Sequence, residues 1–286
     1  MSTALRIAHG PFGRVALLDM DRSLVRHAHP HCHVLIKAEG ADTQFAVGDE
    51  LVPLTATQAV LVNAWEPHAY VHDATRPRTT ILALYIEPDW LQTFRPNWSA
   101  SGSGGFFEWP AGALTLPIRR TAMDLAQAML AHPGASDAQE QLLSRLMISV
   151  IERFTPWRTL SQPAGIAARE RRRFDWRIRR AVDLLRADPS ARCDADTLAR
   201  EAGLSRAHFY RLFERSTNVT PHVFLNMLRM EMAVSATMHA PENLSAVSTR
   251  LGFSAPAHFT RFFRDHAGVK PSEFRTVARM RPGIAA

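Results

Sequence analysis

Three things are scarce in this 286-residue chain, and each scarcity removes a class of protein. Cysteine occurs twice, at Cys32 and Cys193, which are far apart in the sequence. Two cysteines build no disulfide framework, and that usage fits a reducing cytoplasm. No run of eighteen apolar residues is present, so nothing reads as a membrane-spanning helix. The opening Met-Ser-Thr-Ala-Leu-Arg-Ile-Ala-His-Gly lacks the basic-then-apolar order of a secretion signal, and the expected location is cytoplasmic. Lysine is nearly absent beside arginine, and arginine suits bidentate contacts to phosphate and guanine.

The net charge of +7 is unevenly placed. Residues 1–168 hold 13 Lys+Arg against 15 Asp+Glu, whereas residues 169–286 hold 21 against 12. A near-neutral module joined to a strongly basic one implies that the second half meets a polyanion.

The basic half repeats itself. Gly203-Leu-Ser205 and Gly252-Phe-Ser254 recur at an offset of 49, and His208, Phe209, Arg211 and Phe213 recur at 50 as His258, Phe259, Arg261 and Phe263. Asn218, Pro221 and Phe224 match Gly268, Pro271 and Phe274 at the same offset. Apolar positions and turn residues surviving together mark a duplicated supersecondary unit. The pattern predicts helices over about 174–187, 194–202, 205–216, 221–239, 244–251, 256–266 and 271–278, with Pro221 and Pro271 in first turns. At about 100° per residue, Phe209 and Phe213 share a core face while Ala207 and Arg211 lie opposite. In the second unit Phe259, Phe262 and Phe263 form the core face, Ala257 and Arg261 lie opposite, and Arg264 flanks them. Arg211 and Arg261 thus hold equivalent outward positions on equivalent helices, suited to guanine or phosphate. The helix between them is expected to hold the two readers about one DNA turn, roughly 34 Å, apart.

The first half reads differently. Val34-Leu-Ile36, Phe45-Ala-Val47, Ala59-Val-Leu-Val62 and Thr79–Ile86 are short, β-branched runs broken by turn residues, as in a small barrel or sandwich. Ser99–Gly105 reads as a flexible loop. Two helices follow, about 117–131 and 137–154. In the second, Leu142, Leu143, Leu146, Met147, Val150 and Ile151 recur at three- and four-residue steps. That stripe serves either the sensor's own core or a homodimer seam. Residues 156–168 read as a linker, and Arg169–Arg173 as a basic entry to the second domain.

Residues from about 177 to 278 resemble the DNA-binding domain of the AraC/XylS family of bacterial transcription regulators. The likeness is carried by Leu198-Ala-x3-Gly203-x-Ser205, Phe209-x-Arg211-x-Phe213 and Arg229-x3-Ala233. In the second unit it is carried by Leu251-Gly-Phe-Ser254, Phe259-x-Arg261-x-Phe263-Arg264 and Gly268-x2-Pro271-x2-Phe274-Arg275. The resemblance implies that the third helix of each unit reads DNA. That implicates Arg206, Ala207, Tyr210 and Arg211 in the first unit, and Ala255, Ala257, His258 and Arg261 in the second. Ser248 departs from the family's usual alanine, and Asn218 from its usual glycine. The first unit, with Arg206, Tyr210 and Arg211, is the better base reader; the second, with Arg261 and Arg264 among small neighbours, suits a backbone clamp.

His27, His29, His31 and His33 alternate, which in a strand puts all four on one face. His68 and His72 follow after Asn63-Ala-Trp-Glu-Pro. The two segments are similar to the motifs of a cupin barrel, the sensor fold of AraC-type regulators. Lys37 and Ala38 stand where a metal cupin has its Glu. Two assignments stay open: an effector pocket lined by His31, His33, Trp65, His68 and Tyr70, or a divalent transition metal on His29, His31, His33 and His68.

The chain is therefore expected to be α+β with two domains. Residues 1–160 form a cupin-like, ligand-sensing and dimerising β-barrel with a helical pair, 161–173 a linker, and 174–286 an all-α domain with two helix-turn-helix units. The resemblance implies double-stranded promoter DNA, a small-molecule effector, RNA polymerase and a second copy as partners, and no membrane. The competing reading is a metal-dependent cupin enzyme fused to a DNA-binding domain. A DNA-alkylation repair methyltransferase is excluded, because two cysteines cannot supply a zinc-bound cysteine cluster with an acceptor.

Overall fold

The computed structural model describes residues 2–102, 105–132, 137–155, 175–189, 195–217 and 219–278. The proposed linker, the basic run Arg169–Arg173, Cys193 and Asn218 lie outside the described residues.

Among the described residues the first half holds nine strands: β1 Thr3–Gly10, β2 Gly13–Met20, β3 Cys32–Gly40, β4 Thr43–Val47, β5 Glu50–Leu54, β6 Gln58–Val62, β7 His68–Val71, β8 Thr79–Ile86 and β9 Ala111–Ala113. They form an antiparallel six-stranded sheet in the order β1-β2-β8-β3-β6-β9 and a three-stranded sheet in the order β5-β4-β7. Alternation sorts the larger sheet's side chains between two faces. Ala16, Leu18, Leu35, Ile81 and Ala83 look inward, joining Phe45, Val47, Val52, Leu54 and Tyr70 of the smaller sheet. Val15, Leu17, Val34, Ile36, Leu82 and Leu84 look outward and are covered by helices.

Those helices are α2 Leu116–Ala131 and α3 Asp137–Phe154. The Thr115 hydroxyl caps α2 by accepting from the Ile118 N–H, and Pro117 sits in its first turn. Between β8 and β9 lie α1, Pro88–Phe94, and a 3₁₀ helix, Pro96–Gly102. The expected loop from Ser99 is thus partly ordered, because Trp90, Leu91 and Trp98 are buried in the outer core. Apolar anchors outweigh the Gly/Ser composition.

The described residues of the basic half form helices joined by turns: α4 Trp176–Ala187, α5 Ala195–Glu201, α6 Arg206–Thr217, α7 Pro221–His239, α8 Leu244–Arg250, α9 Pro256–Ala267 and α10 Pro271–Ala278. Thr220 and Asn243 cap α7 and α8 through their side chains. The turns before the two readers are built alike, with Gly203 at φ 63° and Gly252 at φ 76°. The first unit packs Ile178, Leu185, Leu198, Phe209, Phe213 and Phe224 into its own core. The second does not stand apart: Met230, Val234, Val247, Phe259, Phe263 and Phe274 belong to the same apolar cluster as the inside of the sensor sheets.

Ser248 is 1% exposed, and its hydroxyl has no hydrogen-bond partner. A buried unpaired hydroxyl costs more than it contributes. Ser248→Ala should therefore stabilise the chain by about 1 kcal/mol. Equilibrium urea denaturation followed by circular dichroism measures this; a lower midpoint would show that the hydroxyl is satisfied.

Candidate functional site: two DNA readers and a buried histidine cluster

The two helices that the family resemblance marks as readers are α6 and α9. Phe209 and Phe213 of α6 and Phe259 and Phe263 of α9 are buried, which turns the opposite face of each helix to solvent. Ser205 opens α6 by accepting from the His208 N–H at 3.4 Å. Arg206, Ala207 and Arg211 are exposed and Tyr210 is half-buried. Arg206 pairs with Asp196 at 3.0 Å, and its guanidinium lies 5.8 Å from the Tyr210 ring centre. On α9, Ala257, His258 and Arg261 are exposed and Ala255 is half-buried at the N-cap. His258 Nδ1 lies 2.8 Å from the Ser254 hydroxyl. Among the described residues neither Arg211 nor Arg261 forms an ion pair with an acid. Arg264 is a different case: it pairs with Asp265 at 3.1 Å and borders a cleft with Ser2, Thr3 and Arg22 of the sensor. The helical wheel flanked Arg264 to the outward face, but the docked sensor domain occupies that flank.

The expected effector residues are dispersed rather than gathered round one pocket. Tyr70 is buried among the apolar residues inside the sheets, its hydroxyl 3.3 Å from His72 Nδ1. Trp65 adopts φ 64° and stacks on Phe224 of α7 at 5.6 Å and 12°, with the Arg186 guanidinium 5.3 Å from its ring centre. A left-handed tryptophan is a strained residue held by its surroundings, and here those surroundings are the first DNA-binding unit. His31 turns away to Glu87, Nε2 to Oε1 2.9 Å, and this hydrogen bond holds the Glu87 carboxyl below its ordinary pKa. His33 and His68 are the two that stay together.

The alternation from His27 to His33 does not make a strand. β3 begins only at Cys32, and His27 makes an isolated antiparallel bridge with His68. Pro30, which has no N–H to donate, interrupts the run. The result nonetheless buries four imidazoles: His27, His29, His33 and His68. His29 Nε2 lies 3.2 Å from His33 Nδ1, which lies 3.4 Å from His68 Nε2. Burial, then the neighbouring His68, holds His27, His29 and His33 well below the ordinary histidine pKa. Burial also brings His68 down to about 4. All four rings are neutral at pH 7. His33 stacks on Tyr85 at 4.0 Å. His27 and His29 face a small cleft of about 30 Å³ at the junction of the domains, closed from the other side by Met230, Glu231, Val234 and His266. Sequence spacing set His27 on one face with the other histidines without assigning it to either site, and it had no means of finding His266 beside it, since domain docking brings His266 there.

Two segments match known families: residues 18–150 the AraC-like ligand binding domain, and residues 198–276 a helix-turn-helix domain. This chain belongs to the AraC family. The lactose operon transcription activator of Staphylococcus xylosus is 26% identical over 98 residues, 34% of this chain and 35% of that one. An uncharacterised helix-turn-helix regulator of Haemophilus influenzae is 22% identical over 151 residues, 53% of this chain and 49% of that one. The chain thus aligns with between about a third and a half of the length of these curated relatives. Among solved structures, the apo form of a ToxT variant from Vibrio cholerae is 12% identical and superposes with a TM-score of 0.60 over 96% of this chain and 100% of that one. At that identity the likeness establishes the fold, a sheet domain carrying a helical DNA-binding domain.

The supposed dimer stripe is consumed within one chain. Leu143, Leu146, Met147, Val150 and Ile151 are at most 1% exposed, and Leu142 is half-buried against the same core. The wide apolar face of α3 covers the outer face of the six-stranded sheet, so these residues present no seam to a second copy. Leu146→Ala should cost about 2–5 kcal/mol of stability through the cavity it leaves. Thermal unfolding with analytical ultracentrifugation distinguishes the two roles. A seam residue would instead lose self-association while keeping its stability.

Proposed function

We propose that the protein is a sequence-specific, DNA-binding transcription regulator whose sheet domain binds an effector and alters how α6 and α9 are presented to DNA. The observation that carries the reading is the matched pair of outward arginines, Arg211 and Arg261, free of acid partners among the described residues, on duplicated helices of a half-chain with net charge +9. An unpaired guanidinium on an exposed helix face is available for bidentate contact with guanine O6 and N7. Arg206, already in an exposed pair with Asp196, would exchange that carboxylate for phosphate or base. Ala207 and Ala257 keep the face shallow, which lets a helix lie close to the groove floor. Arg264 stands outside this face and belongs to the contact between domains.

The junction supports effector control. Trp65 of the sensor stacks on the first unit, while the second shares the sensor's apolar core. An effector shifts presentation of the readers only through a difference in its affinity for two arrangements, and a cleft lined by both domains is where such a difference arises. RNA polymerase and a second copy of this chain are the partners this reading requires; the second copy would meet a surface other than the buried stripe of α3. Residues 1–160 as sensor, 161–173 as linker and 174–286 as DNA-binding domain complete the assignment. No catalytic step is assigned to the sensor.

Arg211→Ala should weaken binding to a cognate site by about 1–3 kcal/mol and relax preference at one base position. Arg264→Ala should leave base preference unchanged. Fluorescence anisotropy on sites selected from genomic DNA by the full chain reads both. Unchanged affinity and preference in Arg211→Ala would remove α6 from base readout.

A further inference from the structure

The buried histidines have more hydrogen-bond acceptors than protons to fill them. His27 Nδ1 lies 2.9 Å from the Val25 carbonyl, His29 Nδ1 3.0 Å from the His31 carbonyl, and His68 Nδ1 2.9 Å from the Glu66 carbonyl. A carbonyl only accepts, so each Nδ1 carries the proton and each Nε2 is a bare lone pair. His33 Nδ1 stands between two of these lone pairs, at 3.2 Å from His29 and 3.4 Å from His68. A proton on His33 Nδ1 satisfies one of them and leaves the other unpaired. A proton on His33 Nε2 satisfies neither, and that atom is itself buried without a partner. A fully buried cluster in which no tautomer pairs every nitrogen is costly unless a Lewis acid takes the lone pairs left over.

We infer that His27, His29, His33 and His68 form a site for one divalent transition metal ion, and that this ion is the effector of the regulator. The second clause rests on the function proposed above. Imidazole nitrogens about 2.0–2.1 Å from a tetrahedral Zn²⁺ stand about 3.3–3.4 Å apart, close to the 3.2 Å between His29 and His33 and the 3.4 Å between His33 and His68. Ring nitrogens of His27, His29 and His68 all lie within 4.8 Å of one another. Nδ1–H bonds to backbone carbonyls are the usual outer-shell arrangement that aims Nε2 at a metal. Neutral imidazole nitrogens as the ligands suit zinc, nickel, cobalt or copper rather than calcium or magnesium. The assignment differs from the one that sequence spacing gave: His27 enters and His31, held by Glu87, leaves.

The site is joined to the second reader. The Val25 N–H, two residues before His27, donates to the Asp265 carbonyl of α9 at 3.1 Å. The His266 ring, next to Asp265, lies 6.4 Å from that of His27. An ion that fixes His27 and His29 fixes the segment on which the C-terminal end of α9 hangs.

Full-length protein stripped with chelator and dialysed against Zn²⁺ should take up one equivalent per chain, and Co²⁺ should give the visible spectrum of a tetrahedral, all-nitrogen site. His29→Ala and His68→Ala should each lower Zn²⁺ affinity by at least about 10-fold, and His31→Ala should not. Failure to take up a stoichiometric ion, or retention by both alanine variants, overturns the site. Should those variants unfold, the wild-type Co²⁺ spectrum decides, and its absence overturns the site. Zn²⁺ should change affinity for genomic fragments selected by the protein by at least about 5-fold. Equal affinity with and without Zn²⁺ overturns the ion as effector. No DNA binding in either state overturns the regulator reading, and leaves the uptake result standing on its own.

Discussion

The constraint on which the rest depends is the close packing of the second DNA-binding unit against the sensor. Gly268, at φ 79°, ends α9 in the left-handed conformation, and a Cβ there would meet Met20 Cε at 2.9 Å. Glycine at this position both terminates the reader helix and lets the sensor come within van der Waals distance. Around it α10 lies along β1, with the Ala4 N–H donating to Glu273 Oε1 at 3.2 Å. An otherwise open edge strand is thereby covered. The apolar interior of the sheets belongs to one cluster with Phe259, Phe263 and Phe274, beside the cleft that His27, His29, Glu231 and His266 line. Such continuity means that α9 cannot shift without disturbing the sensor core, whereas the first unit meets the sensor through Trp65, stacked on Phe224 of α7, and through Ala28.

This asymmetry bears on how an effector would act. Interiors packed at crystal-like density do not deform smoothly, so a change at the junction moves whole helices or nothing. The histidine cluster lies where that movement would start. Its rings are buried and neutral, those of His27, His29 and His68 are oriented by backbone carbonyls, and its segment is hydrogen-bonded to α9. A larger organic effector would have to displace Tyr70, Phe45 and their neighbours, which fill the space between the sheets. An ion needs only about the room of a water molecule, and the junction cleft offers about that much.

The helical half was largely legible in the sequence, because it obeys rules that act over a few residues. Three-and-four spacing, Ser, Thr and Asn caps and first-turn prolines fixed α6 to α10 to within a residue or two of their observed bounds. The outward positions of Arg211 and Arg261 followed from the buried phenylalanines opposite them. That Arg264 also borders a cleft with Ser2, Thr3 and Arg22 was not legible, because a helical wheel knows nothing of a second domain. The histidine segment was misread for a related reason. Strict alternation implies one face only in a regular strand, and Pro30 with the turn at His31 sends His31 to Glu87 while the segment doubles back against His68.

The α3 stripe carries the same lesson in energetic form. Apolar periodicity shows that a face is buried but not what buries it. The six-stranded sheet presents a complete outward apolar face, which α2 and α3 must cover for the sensor to fold alone. Each buried leucine or isoleucine there contributes about 1.5–3 kcal/mol by leaving water. Spending the stripe on a partner would leave Val34, Ile36, Leu82 and Leu84 wet in every monomer. The two DNA-binding units answer the same demand differently: the first closes its core on itself, whereas the second borrows the sensor's interior. Duplication therefore produced two similar readers with unequal freedom, and it is the tethered one, α9, whose position an occupant of the junction would control.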